Sequence, residues 1–187
     1  ENYRIRKIDA HTWQLEDPFR TYLYLIEGTE RAVLIDAGNG FSGLKEVIAS
    51  LTDKPVSVVL TMAISTIPAV PDFLKAVPFT GEDVSVLEEG FEESKEHQVK
   101  RFAELFDVPL SKEEERYLID VKKPEKLSFL SGGDRLELGG RTLEVIETPG
   151  HTRGCICFLD RENQYLFAGD TGCNREILVY FDHSGTV

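Results

Sequence analysis

The sequence predicts an α/β protein in which two β-sheets pack against each other with helices on the outside. Short apolar strands fill the first third of the chain, a charged helical region occupies the middle, and strands return in the last third. This order is typical of layered folds that bury one face of each sheet. The 187 residues are enough for one domain with a sizeable core.

The first third is predicted to form a sheet followed by a helix. Apolar, β-branched and aromatic residues run almost continuously through it, so we expect strands over residues 4–10, 21–27 and 31–36, with a hairpin turn between the last two. Apolar residues then recur at helical spacing on one face, at Leu44, Val47, Ile48 and Leu51. Residues 56–61 are expected to return to a buried strand.

The rest of the chain is predicted to be helical and then extended. Residues 83–117 are charged and carry one apolar helical stripe, and residues 111–114 resemble a capping box. In the last third, Gly139 and Gly140 form a two-residue hairpin turn between strands. Strands are expected over residues 134–138, 141–147, 154–159, 164–168 and 177–181.

The charge of the chain argues against two classes of partner. With 33 acidic and 21 basic side chains, the net charge at pH 7 is −12. A surface of this sign repels the phosphates of nucleic acids and of anionic lipids, so we expect neither nucleic acid nor membrane as a partner. No apolar run approaches the roughly 20 residues that a membrane-spanning helix needs.

The cysteines and three of the four histidines are predicted to have structural or surface roles. Three cysteines without the spacing of a disulfide framework favour a reducing compartment, so we expect a cytoplasmic protein. Cys155 and Cys157 lie in an apolar run and are expected to be buried strand residues, with a thiolate metal pair as the alternative. Three histidines, in contrast, are expected to lie at the surface: His11, His97 and His183.

Four segments resemble the metallo-β-lactamase fold superfamily. They are residues 32–38, 131–140, 147–154 and 166–171, and they follow one another in the order of that family's motifs. The resemblance implies an αβ/βα sandwich of two mixed sheets with outer helices. It also implies that Asp36 has a structural role beside a metal site, that His151 is a metal ligand and that Asp170 bridges two metals.

One segment departs from the family's pattern. The resemblance implies the motif H-x-H-x-D-H after the strand at residues 56–61, where this chain has Met62, Ile64, Thr66 and Ile67. No histidine, aspartate, glutamate or cysteine lies between Lys54 and Val70. The motif that should supply most of the ligands is therefore replaced.

The replaced motif limits the function that can be expected. The family would imply two zinc, iron or manganese ions, but only His151 and Asp170 remain, and a catalytic zinc site usually needs three protein ligands. We therefore expect no cofactor and an abolished dinuclear site. The chain would then be a catalytically inactive homologue, or a binding or scaffold protein with a small-molecule ligand in the old cleft.

Two alternatives keep the chain active. One is a metal-dependent hydrolase of a small ester, thioester or lactone with an altered ligand set. In the other, His151 acts as a general base without metal. In an inactive chain, His151 would be a hydrogen-bonded turn histidine and Asp170 a loop carboxylate that caps backbone amides.

The fourth motif lies close to the end of the chain. The resemblance implies a further helix, a strand and a last histidine ligand, and His183 is too near Asp170 to match that ligand comfortably. We expect a single domain over residues 1–187 that is C-terminally short, with a homodimer or an exchange of segments covering the exposed apolar surface. Natural decay and deliberate engineering would both explain the replaced ligands.

Overall fold

A computed structural model describes residues 2–62, 76–79, 95–106, 109–118 and 126–172 of the chain. Among these residues, no helix has both the length and the apolar character needed to cross a membrane. The elements in chain order are β1 (Arg4–Asp9), β2 (Thr12–Glu16), β3 (Tyr22–Glu27), β4 (Ala32–Ile35), α1 (Leu44–Leu51), β5 (Val56–Val59), β6 (Ala76–Phe79), α2 (Lys95–Phe106), α3 (Lys112–Tyr117), β7 (Lys126–Phe129), β8 (Arg135–Glu137), β9 (Thr142–Glu147), β10 (Ile156–Asp160) and β11 (Tyr165–Phe167).

The first sheet is mixed and follows the order of the chain. Its strands run β1-β2-β3-β4-β5, with antiparallel pairs from β1 to β4 and a parallel pair between β4 and β5. Helix α1 makes the crossover between the two parallel strands, as such a connection requires. The carboxyl ends of β4 and β5 therefore lie side by side at one edge of the sheet.

The second sheet has the order β11-β10-β9-β8, and its described strands are all antiparallel. A separate parallel pair joins β6 to β7. The layered α/β architecture is thus confirmed. The mixed character predicted for both sheets is present in the first, whereas the described part of the second has only antiparallel pairs.

Strand β4 separates two hydrophobic cores because its side chains alternate between the faces of the first sheet. Ala32 and Leu34 face a core that includes Leu44 and Ile48 of α1. Val33 and Ile35 face the other way, into the core shared with the second sheet. All four residues of β4 are buried, which explains why this strand is a continuous apolar run in the sequence.

The two sheets also meet at their turns. The backbone amides of Glu30 and Arg31 donate to the carbonyl of Leu138, at 3.1 and 3.2 Å, and that of Thr29 donates to the carbonyl of Gly139 at 2.8 Å. Gly28 allows this approach, since a Cβ atom built there would collide with the carbonyl group of Leu138. The two hairpins therefore fit together only without a side chain at this position.

A buried ion pair reinforces the same end of the sandwich. Arg141 donates through Nε to Asp160 at 2.7 Å, and the two side chains are 7% and 0% exposed. Its other nitrogens donate to the hydroxyl of Thr12 at 2.9 Å and the carbonyl of His11 at 3.2 Å. One guanidinium thus links the second sheet to the turn between β1 and β2.

Most strands predicted from the sequence are present with shifts of one or two residues at their ends. The helix predicted in the first third is α1, and α2 and α3 lie within the region predicted to be helical over residues 83–117. Strands β2, β6 and β7 were missed. In β2, Trp13 and Leu15 alternate with polar residues, but the segment is short and follows a turn. The predicted strand over residues 177–181 lies outside the described residues.

We expect Gly28→Ala to lower the free energy of unfolding by about 1–3 kcal/mol, because the added methyl group overpacks the junction of the two turns. Urea unfolding monitored by circular dichroism would measure the change. Gly150→Ala is the matched control, since a Cβ at Gly150 meets no atom within 4 Å. Equal stability of the two variants would contradict the role assigned to Gly28.

Candidate functional site

The candidate site is built around Thr61, which follows the last strand of the first sheet. Its backbone amide donates to Asp36 Oδ1 at 2.9 Å, and its hydroxyl donates to Asp36 Oδ2 at 2.9 Å. Its carbonyl accepts a hydrogen bond of 2.8 Å from the amide of Ile156, at the start of β10. Thr61 is therefore hydrogen-bonded to both sheets.

Asp36 occupies an unusual environment directly after β4. Its backbone is in the left-handed region, with φ 60°, which aspartate and asparagine tolerate better than most residues. Burial, together with the negative charge of Asp170, raises the pKa of its carboxyl group to about 6, although the hydrogen bonds from Thr61 act in the opposite direction. The structural role that the family resemblance implied for Asp36 agrees with these contacts.

His151 is held in a tight loop between β9 and β10. The amide of Thr148 donates to the carbonyl of Cys155 at 2.8 Å, and the amide of Gly150 donates to the carbonyl of Thr152 at 3.0 Å. Thr152 is fully buried, and its amide contacts the Cys155 sulfur at 3.2 Å. This loop leaves the histidine 8% exposed.

Asp170 lies in a short 3-10 turn, Gly169–Thr171, after β11. Gly169 has φ +49° and packs against Thr61 so closely that an added Cβ would collide with the threonine hydroxyl. The side chain of Asp170 is 58% exposed. The close approach of Gly169 to Thr61 brings the turn against the end of the first sheet.

The structure brings the two sequence-predicted site residues together. His151 Nε2 lies 3.6 Å from Asp170 Oδ2, which is within the range of an ion pair but too long for a hydrogen bond. Met62 is the next residue after Thr61 and is partly buried. The other three positions of the replaced motif, Ile64, Thr66 and Ile67, lie outside the described residues.

The described residues do not fit a metal ion. Among them, no group of three or more histidine, cysteine, aspartate or glutamate side chains is arranged to hold one. His151 and Asp170 are two donors, fewer than the three that a catalytic zinc site usually takes from the protein.

The remaining candidates from the sequence are two cysteines and three histidines. Cys155 and Cys157 are buried and form no disulfide, which confirms their predicted burial. His11 is exposed and lies 2.9 Å from Glu27, and His97 is exposed on α2, so both surface predictions are confirmed. His183 lies outside the described residues.

A cleft lies at the opposite end of the strands from the candidate site. This cleft of about 520 Å³ is lined by the turns that follow β1, β3, β8 and β10, and includes Glu27, Lys54 and Arg141. Asp36 and Thr61, in contrast, follow the carboxyl ends of β4 and β5. The cleft is therefore separate from the His151–Asp170 pair.

Sequence reasoning missed two residues that shape the site. Thr61 was predicted only as the end of a strand, and no local pattern shows that its partners are Asp36, Ile156 and Gly169. Asp17 is buried and accepts hydrogen bonds from the amides of residues 19, 21 and 39, and it fixes the loop that follows Asp36. The Asp17-Pro18 dipeptide is a turn signal that could have pointed to it.

Comparisons with known proteins agree with the described fold. A sequence model of the metallo-beta-lactamase superfamily matches residues 79–185, which is more than half of the chain. The described fold is similar to that of a metallo-beta-lactamase family protein from Thermus thermophilus, with a TM-score of 0.62 at 20% identity, over 91% of this chain and 62% of that protein. At this identity the structural likeness concerns the fold.

Two curated enzymes match shorter stretches. Acyl-coenzyme A thioesterase MBLAC2 of Gallus gallus is 37% identical over 68 residues, which are 36% of this chain and 24% of the relative. Hydroxyacylglutathione hydrolase of Rhizobium meliloti (strain 1021) is 49% identical over 47 residues, 23% of this chain and 18% of the relative. The chain therefore matches about a quarter or less of the length of these two relatives.

The raised pKa of Asp36 predicts a pH-dependent loss of stability. Its carboxyl group binds a proton more tightly in the folded chain, at a pKa of about 6, than at its ordinary value of 3.8. The stabilisation that this proton provides is complete below about pH 4 and is lost as the pH rises through 6. Asp36→Asn keeps a neutral side chain and tolerates the left-handed backbone. We therefore expect the variant to gain stability relative to the parent as the pH rises from 4 to 7, by up to about 3 kcal/mol.

Urea unfolding of both chains at a series of pH values would measure this difference. Asp53→Asn, which removes one charge from an exposed side chain, controls for the change in net charge. A difference between Asp36→Asn and the parent that is constant from pH 4 to 7 would contradict the assignment.

Proposed function

Because the chain belongs to the metallo-β-lactamase superfamily, we propose that it is a hydrolase homologue whose scaffold is suited to a thioester substrate and whose metal site is incomplete. The proposal of an incomplete metal site rests on the metal-donating side chains present there. Only His151 and Asp170 come together among the described residues, 3.6 Å apart. The chain as it stands is therefore proposed to be catalytically inactive.

The thioester class is supported by the two matched enzymes. One is named for acyl-coenzyme A and the other for hydroxyacylglutathione, and in both substrates an acyl group is carried on a thiol. The two matches come from a bird and a bacterium. A shared substrate chemistry favours a thioester over the ester and lactone that the sequence also allowed.

Inactivity follows from the chemistry that the missing donors would support. A catalytic metal lowers the pKa of bound water from 15.7 to about 7, which corresponds to about 12 kcal/mol at about 1.36 kcal/mol per pKa unit. An imidazole beside a half-exposed carboxylate provides general-base assistance, typically worth about 10²–10⁴-fold in rate. This contribution is much smaller than that of the metal.

We expect the purified chain to contain far less than one equivalent of zinc, iron or manganese, because two protein donors hold such ions weakly. Elemental analysis after dialysis would measure the content. His151→Ala is the matched control and should leave this low content unchanged. Near-stoichiometric metal in the parent that falls in the variant would overturn the proposed inactivity and favour an altered ligand set.

A thioesterase assay tests the remaining alternative, in which the chain hydrolyses its substrate without a metal. We expect no hydrolysis of a short acyl-coenzyme A or of an acylglutathione above the uncatalysed rate, with or without a chelator. Activity that survives the chelator and disappears in His151→Ala would instead identify His151 as a general base. Released thiol, measured with a chromogenic disulfide, is the readout.

A further inference from the structure

The departure from the family pattern is confined to one short segment. On its amino-terminal side, Thr61 is in place and hydrogen-bonded to both sheets. On its other side, β6 pairs with β7 from Ala76 onward, and the superfamily match runs from residue 79. The described residues on both sides of the replaced motif are therefore placed as the family's fold requires.

We propose that residues 62–73 are the translation of a reading frame displaced by one nucleotide, and that the adjacent frame of the same gene encodes the missing metal-binding motif. This inference rests on the proposed function only for the expectation of a metal site. Its basis is the genetic code applied to the printed sequence. In the adjacent frame, each codon joins the third base of one residue's codon to the first two bases of the next.

The four replaced positions all obey the same constraint. Codons for Met62, Ile64 and Ile67 begin with AT, and the codons for Thr66 begin with AC. In the adjacent frame these positions are therefore translated from codons that end in AT or AC. Such codons specify only asparagine, aspartate, histidine and tyrosine. Histidine is thus available at the first, second and fourth ligand positions, and aspartate at the third if the codon of Ser65 is TCG.

The residues between the four ligand positions are also consistent with the motif when they are translated in the adjacent frame. Methionine has one codon, ATG, and alanine codons begin with GC, so Ala63 must become glycine in the adjacent frame. Ser65 becomes phenylalanine, leucine or isoleucine when its codon begins with TC, and glycine is available at Ala69. A consistent adjacent-frame translation from position 62 is His-Gly-His-Phe-Asp-His-Thr-Gly-Ser-Ala-Gly-Leu, which contains H-x-H-x-D-H in the expected register.

Separate point mutations explain the segment poorly. Changing a histidine codon into one for isoleucine, or an aspartate codon into one for threonine, takes at least two base changes, and changing histidine into methionine takes more. All four positions would need such multiple changes, while Thr61 and the strand before it stayed intact. One nucleotide lost at codon 61, and a compensating gain before β6, produces the whole segment at once.

The segment begins directly beside the candidate site. The hydroxyl of Thr61 packs against Gly169, next to Asp170, and Asp170 lies 3.6 Å from His151. The chain therefore leaves Thr61 beside the two remaining donors. Met62, the first of the four replaced positions, directly follows Thr61.

The nucleotide sequence of the gene in its source organism tests the proposal directly. We expect the codons of Thr61, Ala63 and Thr66 to end in C and the codon of Ser65 to be TCG, since these bases create three histidine codons and one aspartate codon in the adjacent frame. Other bases at these third positions would overturn the proposal. This test does not depend on folding, on metal binding or on any activity.

A restored protein gives a second, independent measurement. Equilibrium dialysis with zinc alone, and the shift in thermal midpoint that zinc produces, compare the parent chain with a variant that carries the adjacent-frame residues. The variant combines Met62→His, Ala63→Gly, Ile64→His, Ser65→Phe, Thr66→Asp, Ile67→His, Pro68→Thr, Ala69→Gly, Val70→Ser, Pro71→Ala, Asp72→Gly and Phe73→Leu.

We expect the restored chain to bind zinc more tightly than the parent and to be stabilised by it, because ligands that bind only the folded state raise its stability. The same restored chain with His151→Ala is the matched control and should bind less. A folded restored chain that binds no more zinc than the parent would count against the proposal. Zinc binding without thioester hydrolysis would support the reading frame and reject only the thioester class.

Discussion

The candidate site depends on one residue, Thr61, because it joins the carboxyl end of β5 in the first sheet to the start of β10 in the second. Its amide and hydroxyl bind the buried carboxyl group of Asp36, and its carbonyl accepts from Ile156 of the second sheet. Gly169 packs on its hydroxyl. Together with the packing of Phe167 near Tyr24 of the first sheet, these contacts hold the turn of Asp170 against the end of that sheet.

The two ends of the sandwich therefore have different physical characters. At the turn end, backbone hydrogen bonds and the buried Arg141–Asp160 pair satisfy the polar groups that the packing encloses. At the site end, Asp36 is buried beside a second carboxylate, and its pKa is raised as a result. A buried carboxyl group without a nearby cation is costly when charged, and this cost is concentrated where the family's scaffold would carry a positively charged metal.

The chain has Asp36, His151 and Asp170 where the family resemblance implies them, whereas residues 62–67 contain none of the metal ligands that it implies there. Progressive decay would be expected to affect scattered positions with little regard to the genetic code. A displaced frame changes a continuous run of residues and leaves both flanks untouched, as we propose for the residues between Thr61 and β6.

The sequence by itself determined the layered fold, helix α1 and the hairpin at Gly139-Gly140, and it singled out His151 and Asp170, which the structure places 3.6 Å apart. These features depend on local periodicity, on turn residues or on short motifs, all of which are present in a single stretch of chain. It missed β2, which is short, and the parallel pair of β6 and β7, because that pairing joins segments about fifty residues apart.

Only the tertiary structure decided how the site is assembled. The partners of Thr61 are 25 residues away at Asp36 and much further along the chain at Ile156 and Gly169. Likewise, the pKa of Asp36 depends on its burial and on the charge of Asp170, and neither is evident from its neighbours in sequence. Motifs are local and can be recognised in the chain, whereas burial and distance arise when remote segments pack together.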